Sequence, residues 1–325
     1  MDDTPRSASG FRDRSFGLAV FGTIEILIGL ALAALVPLVV VALVLSTAVT
    51  PVVASASAVL YGALAGLFIA LGVGSIRCRR WARELSLSMG WLWLVTGICT
   101  MVLTSLLAPG LGYDLAVLSG LAGSAARAAA VGITVLSAVI HVLLPAAFVL
   151  FYGSAAVAAT CRHRDPRPDW AERCPQPLLS LAVAFALGGL SVLAMPAYGF
   201  VFPLFGRILA GADGAVAWGL VLLVATVLAW GTWRRARWAW WLAAASSTAA
   251  AVTTALTFAT TDAETVFAAM KLAPEQRRLI EPLWPRSPWV HVVGWTAVWG
   301  SLLGYLLFVR PLYGRPSRPT RKAEP

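Results

Sequence analysis

Long apolar runs alternate with short basic segments along most of this chain. A helix needs about 20 apolar residues to cross a hydrocarbon core about 30 Å thick. No segment alternates between apolar and polar residues for long enough to form a membrane strand. Helices satisfy their own backbone hydrogen bonds in lipid. The pattern predicts eight spans, at residues 16–46, 55–76, 86–107, 127–157, 177–205, 215–233, 239–259 and 289–309. Because proline removes a helix hydrogen bond, we expect bends at Pro37 in the first span and at Pro196 and Pro203 in the fifth.

A nine-residue motif follows the second and the sixth predicted spans. Residues 74–82 read GSIRCRRWA and residues 231–239 read GTWRRARWA, so Gly, two Arg, Trp and Ala recur at equal spacing. We call these segments the first and second elbow. The repetition indicates a duplicated four-span unit, although the fourth and eighth spans align poorly. Because four crossings return the chain to its starting side, the two halves should have the same orientation.

The predicted fold is therefore all-α and polytopic, with about eight transmembrane helices in two parallel-oriented four-helix repeats. The predicted division is an N-terminal arm (1–15), a first repeat (16–160), a linker (161–176), a second repeat (177–310) and a disordered tail (311–325). Within the second repeat, residues 260–288 form a predicted outer segment. Thr261 and Glu264 fit a capping box, and Pro274 can open a second helix. We expect two amphipathic helices there, lying on the outer face.

Charge sets the predicted orientation. Only 12% of the residues are charged, against about 25% in soluble domains. With the N-terminus inside, 19 of the 25 Lys and Arg residues lie in cytosolic segments. This predicts a multi-pass protein of the inner (plasma) membrane with both termini cytosolic. The net charge of +10 is then explained by topology, with the lipid bilayer as partner and no nucleic acid. Protein partners are left open.

Three polar residues inside the predicted spans are candidates for function: Glu25, His141 and Ser191. Glu25 is the one carboxylate deep in a span, and Ser191 is its counterpart in the second half when Pro37 is aligned with Pro203. An ionisable group in a membrane is costly and often functional. Two interpretations stay open, namely proton or cation handling and a structural polar contact between helices. A Glu25–His141 proton pair is one form of the first.

The elbows supply a second set of candidates: Arg77, Arg80, Trp81, Arg234, Arg237 and Trp238. If the elbow is helical, Arg77 and Arg80 share a face. One interpretation is that Arg and Trp anchor the chain at the headgroup level. The other is a paired basic site for anionic lipid headgroups or a phosphorylated partner at the cytosolic face.

Two further patterns are weaker signals. Cys161, His163 and Cys174, with Cys78, offer zinc ligands at a spacing that no zinc finger has, and ordinary cysteines are the alternative. The GxxxG pairs at Gly62 and at Gly300 predict close packing between helices.

Several signatures of catalysis are absent from the sequence. It has no phosphate-cradling Gly-Lys loop, no His-Glu-x-x-His and no Gly-x-Ser-x-Gly. We therefore predict no enzyme, no catalytic residues, no cofactor and no metal site.

Residues 74–82, Phe151-Tyr152-Gly153 and the Cys161…Asp165-Pro166…Trp170…Cys174-Pro175 pattern resemble a group of uncharacterised multi-pass bacterial membrane proteins. The resemblance implies the architecture and no activity.

Two functions fit these patterns. In the first, the protein is a carrier or permease-like protein with a pathway between the two halves and Glu25 as the titrating group. In the second, it is a non-transporting scaffold or accessory subunit that binds partners through the linker and the outer segment.

Overall fold

The protein is an all-α polytopic membrane protein. A computed structural model describes residues 13–45, 50–107, 120–272, 274, 277 and 288–314. Within those ranges, eight helical segments are long and apolar enough to cross a membrane. They are Ser15–Val41, Pro51–Ile76, Arg80–Val102, Gly123–Gly153, Gln176–Tyr198, Gly211–Trp233, Arg237–Thr260 and Trp289–Leu312.

The first half begins with three long helices and continues with a fourth rod of mixed geometry. Its elements are α1 (Ser15–Leu45), α2 (Pro51–Ile76), α3 (Arg80–Leu107), α4 (Gly123–Ala138), a π-turn (Val139–Leu143), α5 (Leu144–Gly153) and α6 (Ala155–Arg164). The Ser154 hydroxyl accepts from the Val157 N–H at 3.3 Å, which caps α6 and separates it from α5. The linker region is thus helical at its start.

Helices α1 and α2 approach so closely that their backbones touch. A Cβ built on Gly22 would lie 2.6 Å from the Gly72 carbonyl oxygen, so neither position tolerates a side chain. The described residues show no such packing at the GxxxG pairs. Apart from chain neighbours and the backbone of the same helix, no described residue has an atom within 4 Å of a Cβ built on Gly62, Gly66, Gly300 or Gly304.

The second half contains a fifth span that is interrupted. Its elements are α7 (Gln176–Ser191), a 3-10 segment (Val192–Tyr198), β1 (Phe202–Leu204), β2 (Arg207–Leu209), α8 (Gly211–Trp233), α9 (Arg237–Thr260), α10 (Ala263–Met270), α11 (Pro288–Val309) and a 3-10 turn (Arg310–Leu312). The expected span over 177–205 is helical to Tyr198, as an α-helix to Ser191 and a 3-10 helix beyond it, and is wrong for the residues after Tyr198. Pro196 lies in the 3-10 segment and Pro203 in β1, whereas α1 continues unbroken through Pro37.

The interruption ends in a short antiparallel hairpin that docks on α9. Strands β1 and β2 pair with Pro203 opposite Ile208. The backbone N–H groups of Phe205 and Gly206 donate to the Thr253 and Thr257 hydroxyls at 2.7 and 3.0 Å. These bonds satisfy the backbone donors of the turn and hold the hairpin against α9.

One of the two outer helices lies within the described residues. It is α10, and its cap is Asp262, whose carboxylate accepts from the Thr265 N–H at 2.7 Å. The expected cap at Thr261 is therefore one residue early. The second outer helix, which was expected to open at Pro274, falls largely outside the described residues.

Two hydrophobic cores lie side by side. The first is built from buried residues of the first half, including Leu18, Phe148 and Tyr152. The second contains Leu178 and Trp240, and Trp81 of the first half packs against it. Helix α3 packs on α7, and α2 packs on the 3-10 segment Val192–Tyr198. These contacts join the halves.

Candidate functional site

The two elbows share one backbone geometry. Cys78 and Arg235 both adopt the left-handed region, with φ of 53° and 57°. Each follows a helix that ends in a Schellman motif, in which two N–H groups beyond the helix bond to carbonyls of its last turn. The N–H to carbonyl pairs, all at 2.9 Å, are Cys78–Ser75 and Arg79–Gly74 in the first elbow and Arg235–Thr232 and Ala236–Gly231 in the second.

The glycine of each elbow is required by the helix that follows. A Cβ on Gly74 would lie 2.5 Å from the Ala82 Cβ, and a Cβ on Gly231 would lie 2.5 Å from the Trp238 ring. The Trp and Ala of the motif therefore cover the Gly of the preceding helix. This packing explains why Gly, Trp and Ala recur together.

The elbow is a helix–turn–helix corner, so the expectation that Arg77 and Arg80 share one helical face is wrong. Arg77 caps the end of α2, while Arg80 opens α3. Arg234 and Arg237 take the same two positions at the end of α8 and the start of α9. The left-handed residue between the two arginines turns the chain and separates their side chains.

A buried hydroxyl pair lies beneath each elbow. The Tyr152 hydroxyl donates to Ser75 Oγ at 2.9 Å, and Thr232 Oγ1 lies 3.2 Å from the Tyr313 hydroxyl. Ser75 and Thr232 are fully buried. The sequence reasoning missed these residues. A signal was present, because the fourth rod ends in Tyr152-Gly153 and the last described residues are Tyr313-Gly314.

Glu25 joins the hydroxyl pair of the first elbow. Ser75 Oγ donates to Glu25 Oε2 at 2.9 Å, and the Glu25 side chain is buried, with 1% exposure. Ser86 is buried beside this carboxyl. We call Glu25, Ser75, Ser86 and Tyr152 the Glu25 cluster. It offers a carboxyl group surrounded by hydroxyls that can pass a proton along Tyr152, Ser75 and Glu25.

The other two intramembrane candidates lie apart from Glu25. His141 is in the π-turn, with Nδ1 2.9 Å from the Ser137 carbonyl oxygen. It precedes Tyr152 by 11 residues on one rod, about 16 Å along the axis. Ser191 ends α7 and donates to the Gly188 carbonyl at 2.7 Å. The structure therefore does not form a Glu25–His141 pair, and it gives Glu25 partners on α2 and α5.

The linker closes over the first elbow and reaches the second. Arg80 Nη1 donates to Glu172 at 3.0 Å, and Arg79 pairs with Asp165 at 3.5 Å. Trp170 packs edge-on against Trp233, with ring centroids 6.2 Å apart. Both elbows and the linker therefore lie at one end of the helix bundle.

An open cleft occupies the corresponding place at the second elbow. It has a volume of about 250 Å³ and is lined by Arg237, Trp240, Trp241, Arg310 and Tyr313. We call it the Arg237 cleft. The prediction of a disordered tail from residue 311 is wrong for residues 311–314, because a 3-10 turn (Arg310–Leu312) is followed by Tyr313, which packs in the second core. The rest of the tail, 315–325, lies outside the described residues.

The two elbow tryptophans differ in their surroundings. Trp81 packs against the second core, whereas Trp238 is exposed and tilts toward Trp230 at 6.3 Å. Arg234 lies over the same Trp230 ring at 5.0 Å. Trp238 and Arg234 thus form an exposed aromatic and basic surface, as anchoring at the headgroup level requires.

The cysteines considered for zinc are divided between the two cores. Cys78 and Cys161 pack in the first core and Cys174 in the second. Burial raises the pKa of the Cys161 and Cys174 thiols to about 12. In the part of the chain that the structure describes, no three His, Cys, Asp or Glu residues are grouped as metal ligands.

Comparisons with protein-family models, with curated proteins and with solved structures find no match to this chain.

Proposed function

We propose that this protein is a proton-linked carrier of the plasma membrane, with its Arg-rich elbow end in the cytosol and Glu25 as its proton-binding group. The observation that carries the proposal is the burial of Glu25 against Ser75 and Tyr152 without a basic side chain at ion-pair distance among the described residues. A carboxylate is costly in this setting unless it is paired or protonated. Such a group suits reversible proton binding.

The interrupted fifth span supports the same function. Non-helical backbone at membrane depth occurs where it is buried in protein or lines a cavity, and carriers use discontinuous helices at their substrate sites. The 3-10 segment Val192–Tyr198 packs against α2, the helix that carries Ser75. A pathway along α2, between the halves, would thus run beside the Glu25 cluster.

Proton flux tests the proposal directly. We expect purified protein in liposomes, under a potassium diffusion potential, to acidify an internal pH dye faster than Glu25→Gln does. The amide keeps the shape of the side chain and cannot exchange the proton. Asp213→Asn is the matched control, because Asp213 is an exposed carboxylate in the first turn of α8. Equal rates for wild type, Glu25→Gln and protein-free liposomes would contradict a carrier of this kind.

A specific feature favours a second function, that of a non-transporting scaffold. Ion pairs with Arg79 and Arg80 hold the linker in place, while Trp170 stays 42% exposed. Residues 162–164, 166–168 and 170 present an exposed, Arg-rich surface. A partner with an acidic surface would fit there. Crosslinking in native membranes tests this function, and we expect Trp170→Ser to remove the crosslinked species while leaving proton flux unchanged.

A further inference from the structure

We propose that the Arg237 cleft binds the phosphate group of an anionic lipid headgroup. This inference is independent of the proton role proposed for Glu25, because the cleft shares no residue with the Glu25 cluster. It concerns one of the two elbows only.

Among the described residues, the two guanidinium groups of the cleft have no acidic partner. Arg237 and Arg310 are both exposed, and no carboxylate of the described residues lies within 4.0 Å of either. At the same place in the first elbow, Arg80 is paired with Glu172 at 3.0 Å. A site with two positive charges and no internal anion attracts an external one. Guanidinium groups match phosphate oxygens with paired N–H donors.

Aromatic rings hold the Arg310 side chain in place. Its guanidinium carbon lies 4.9 Å from the Trp240 ring centre and 5.9 Å from the Trp241 ring centre. Trp240 is fixed in turn, since its indole N–H donates to the Leu306 carbonyl at 2.7 Å. This cation–π stacking leaves the N–H edge of the guanidinium free for an anion. A site organised before binding loses less entropy when the ligand arrives.

Gly314 fixes the position of Arg237. Gly314 has a left-handed φ of 73°, and its N–H donates to the Arg235 carbonyl at 2.9 Å. The Arg237 side chain lies across this glycine, where a Cβ would be only 2.3 Å from Nε. The glycine therefore makes room for the arginine, and the two cationic groups are positioned by different elements.

The position of the cleft selects a lipid as the source of the phosphate. Arg237 opens one membrane span and Arg310 lies near the end of another, so the cleft is level with one membrane surface. Helices α9 and α11 pack together there. Trp241 is 63% exposed at this level, as in the aromatic belts of membrane proteins. Leu307 and Phe308, exposed by 61% and 70%, continue an apolar surface on which acyl chains can lie.

The test measures lipid binding to the full chain in a mild detergent by native mass spectrometry. The probes are short-chain phosphatidylglycerol, short-chain phosphatidylcholine and inorganic phosphate. We expect phosphatidylglycerol to bind more tightly than either of the others. Replacing both cleft arginines, Arg237→Gln with Arg310→Gln, should weaken its binding by about tenfold or more. The matched control is Arg167→Gln with Arg173→Gln, which removes equal charge from exposed linker positions outside both elbows.

Three results would overturn the proposal. An equal loss in the control pair would mean that only general surface charge matters. Equal binding of phosphatidylcholine would remove selectivity for an anionic headgroup, and equal binding of inorganic phosphate would identify a free-ion site instead. If the double variant fails to fold, Arg310→Gln alone serves, because it leaves Arg237 packed on Gly314. It should still weaken phosphatidylglycerol binding several-fold, and Arg310→Lys should restore part of the loss.

Discussion

The two elbows have the same backbone and opposite electrostatic environments. At the first elbow the linker covers Arg80 with Glu172, and the side chain of Arg80 is only 13% exposed. At the second, Arg237 lies in an open cleft with Arg310 as its neighbour. The local motif determines how the chain turns. The elements that pack against the motif determine whether its arginine is neutralised or available.

The two halves also differ in the buried side chains beneath their elbows. Ser75 and Tyr152 meet a carboxyl group, whereas Thr232 and Tyr313 form a hydroxyl pair without one. Each half thus carries one reactive feature that the other lacks. The first half has a buried acid below a neutralised elbow, and the second has an exposed basic cleft above a neutral core.

The largest effect should come from the elbow glycines. Gly74→Ala and Gly231→Ala should each lower the free energy of unfolding by about 1–3 kcal/mol, because the new Cβ overlaps the following helix. Gly62→Ala and Gly219→Ala are matched controls with open space at the Cβ position. They should be neutral or stabilising by up to about 1 kcal/mol, as helix propensity predicts. Unfolding in mixed micelles by dodecyl sulfate measures both. Equal effects at elbows and controls would show that the corners are not closely packed.

Removing a buried hydroxyl should lower stability more in the first half than in the second. Ser75→Ala leaves Glu25 and Tyr152 without their hydrogen-bond partner, and should cost about 1–3 kcal/mol. Thr232→Val affects only Tyr313, because this hydroxyl pair has no carboxyl group, and should cost about 0.5–1.5 kcal/mol. The same unfolding assay measures which variant loses more stability. Tyr152→Phe and Tyr313→Phe, which remove the other hydroxyl of each pair, give a second comparison. A larger loss for Thr232→Val would contradict the role assigned to the Glu25 cluster.

Neutralising Arg80 and Arg237, which take equivalent positions in the two elbows, should give a smaller difference in stability. Arg80→Gln loses a partly buried ion pair and bonds to the Arg162 and Pro166 carbonyls, and should cost about 1–2 kcal/mol. Arg237→Gln should change stability by less than about 0.5 kcal/mol. A double-mutant cycle between Arg80 and Glu172 measures their coupling directly. No coupling would mean that the linker is not held by this pair.

The last prediction concerns the orientation of the two elbows relative to the membrane. Its variants should leave the stability of the protein unchanged. Thiols introduced by Arg77→Cys and Arg234→Cys should react with an impermeant maleimide from the cytosolic side only. Their reactivity should rise as the pH approaches about 8.5, the ordinary pKa of an exposed thiol. The native Cys161 and Cys174 should stay silent in this range, because burial raises the pKa of each to about 12. Labelling of the two engineered sites from opposite sides would contradict the parallel arrangement of the halves.

Several features of the fold were predictable from the apolar runs and from the motif. Every one of the eight predicted spans overlaps an observed apolar helix. The duplication itself stays a prediction. Its strongest support is that Cys78 and Arg235, at equivalent positions, adopt the same left-handed backbone although their side chains differ.

The fifth span shows where an apolar pattern does not predict the secondary structure. Residues 177–205 are apolar throughout, yet only the part up to Ser191 is α-helical. Hydropathy reports burial in lipid or protein, and does not distinguish a helix from a hairpin whose donors are satisfied by Thr253 and Thr257. Pro37 and Pro196 illustrate the same limit, because one lies in a continuous helix and the other in a 3-10 segment.

The sequence by itself determined that this is a multi-span membrane protein with two similar corners. The spans depend on apolar composition, and the turn at each corner depends on residues at short spacing. Only the tertiary structure decided which hydroxyls surround Glu25 and which arginine is left unpaired. Those contacts join residues 50 to 92 positions apart in the chain, as between Glu25 and Ser75 or between Arg80 and Glu172. No local pattern encodes such a distance.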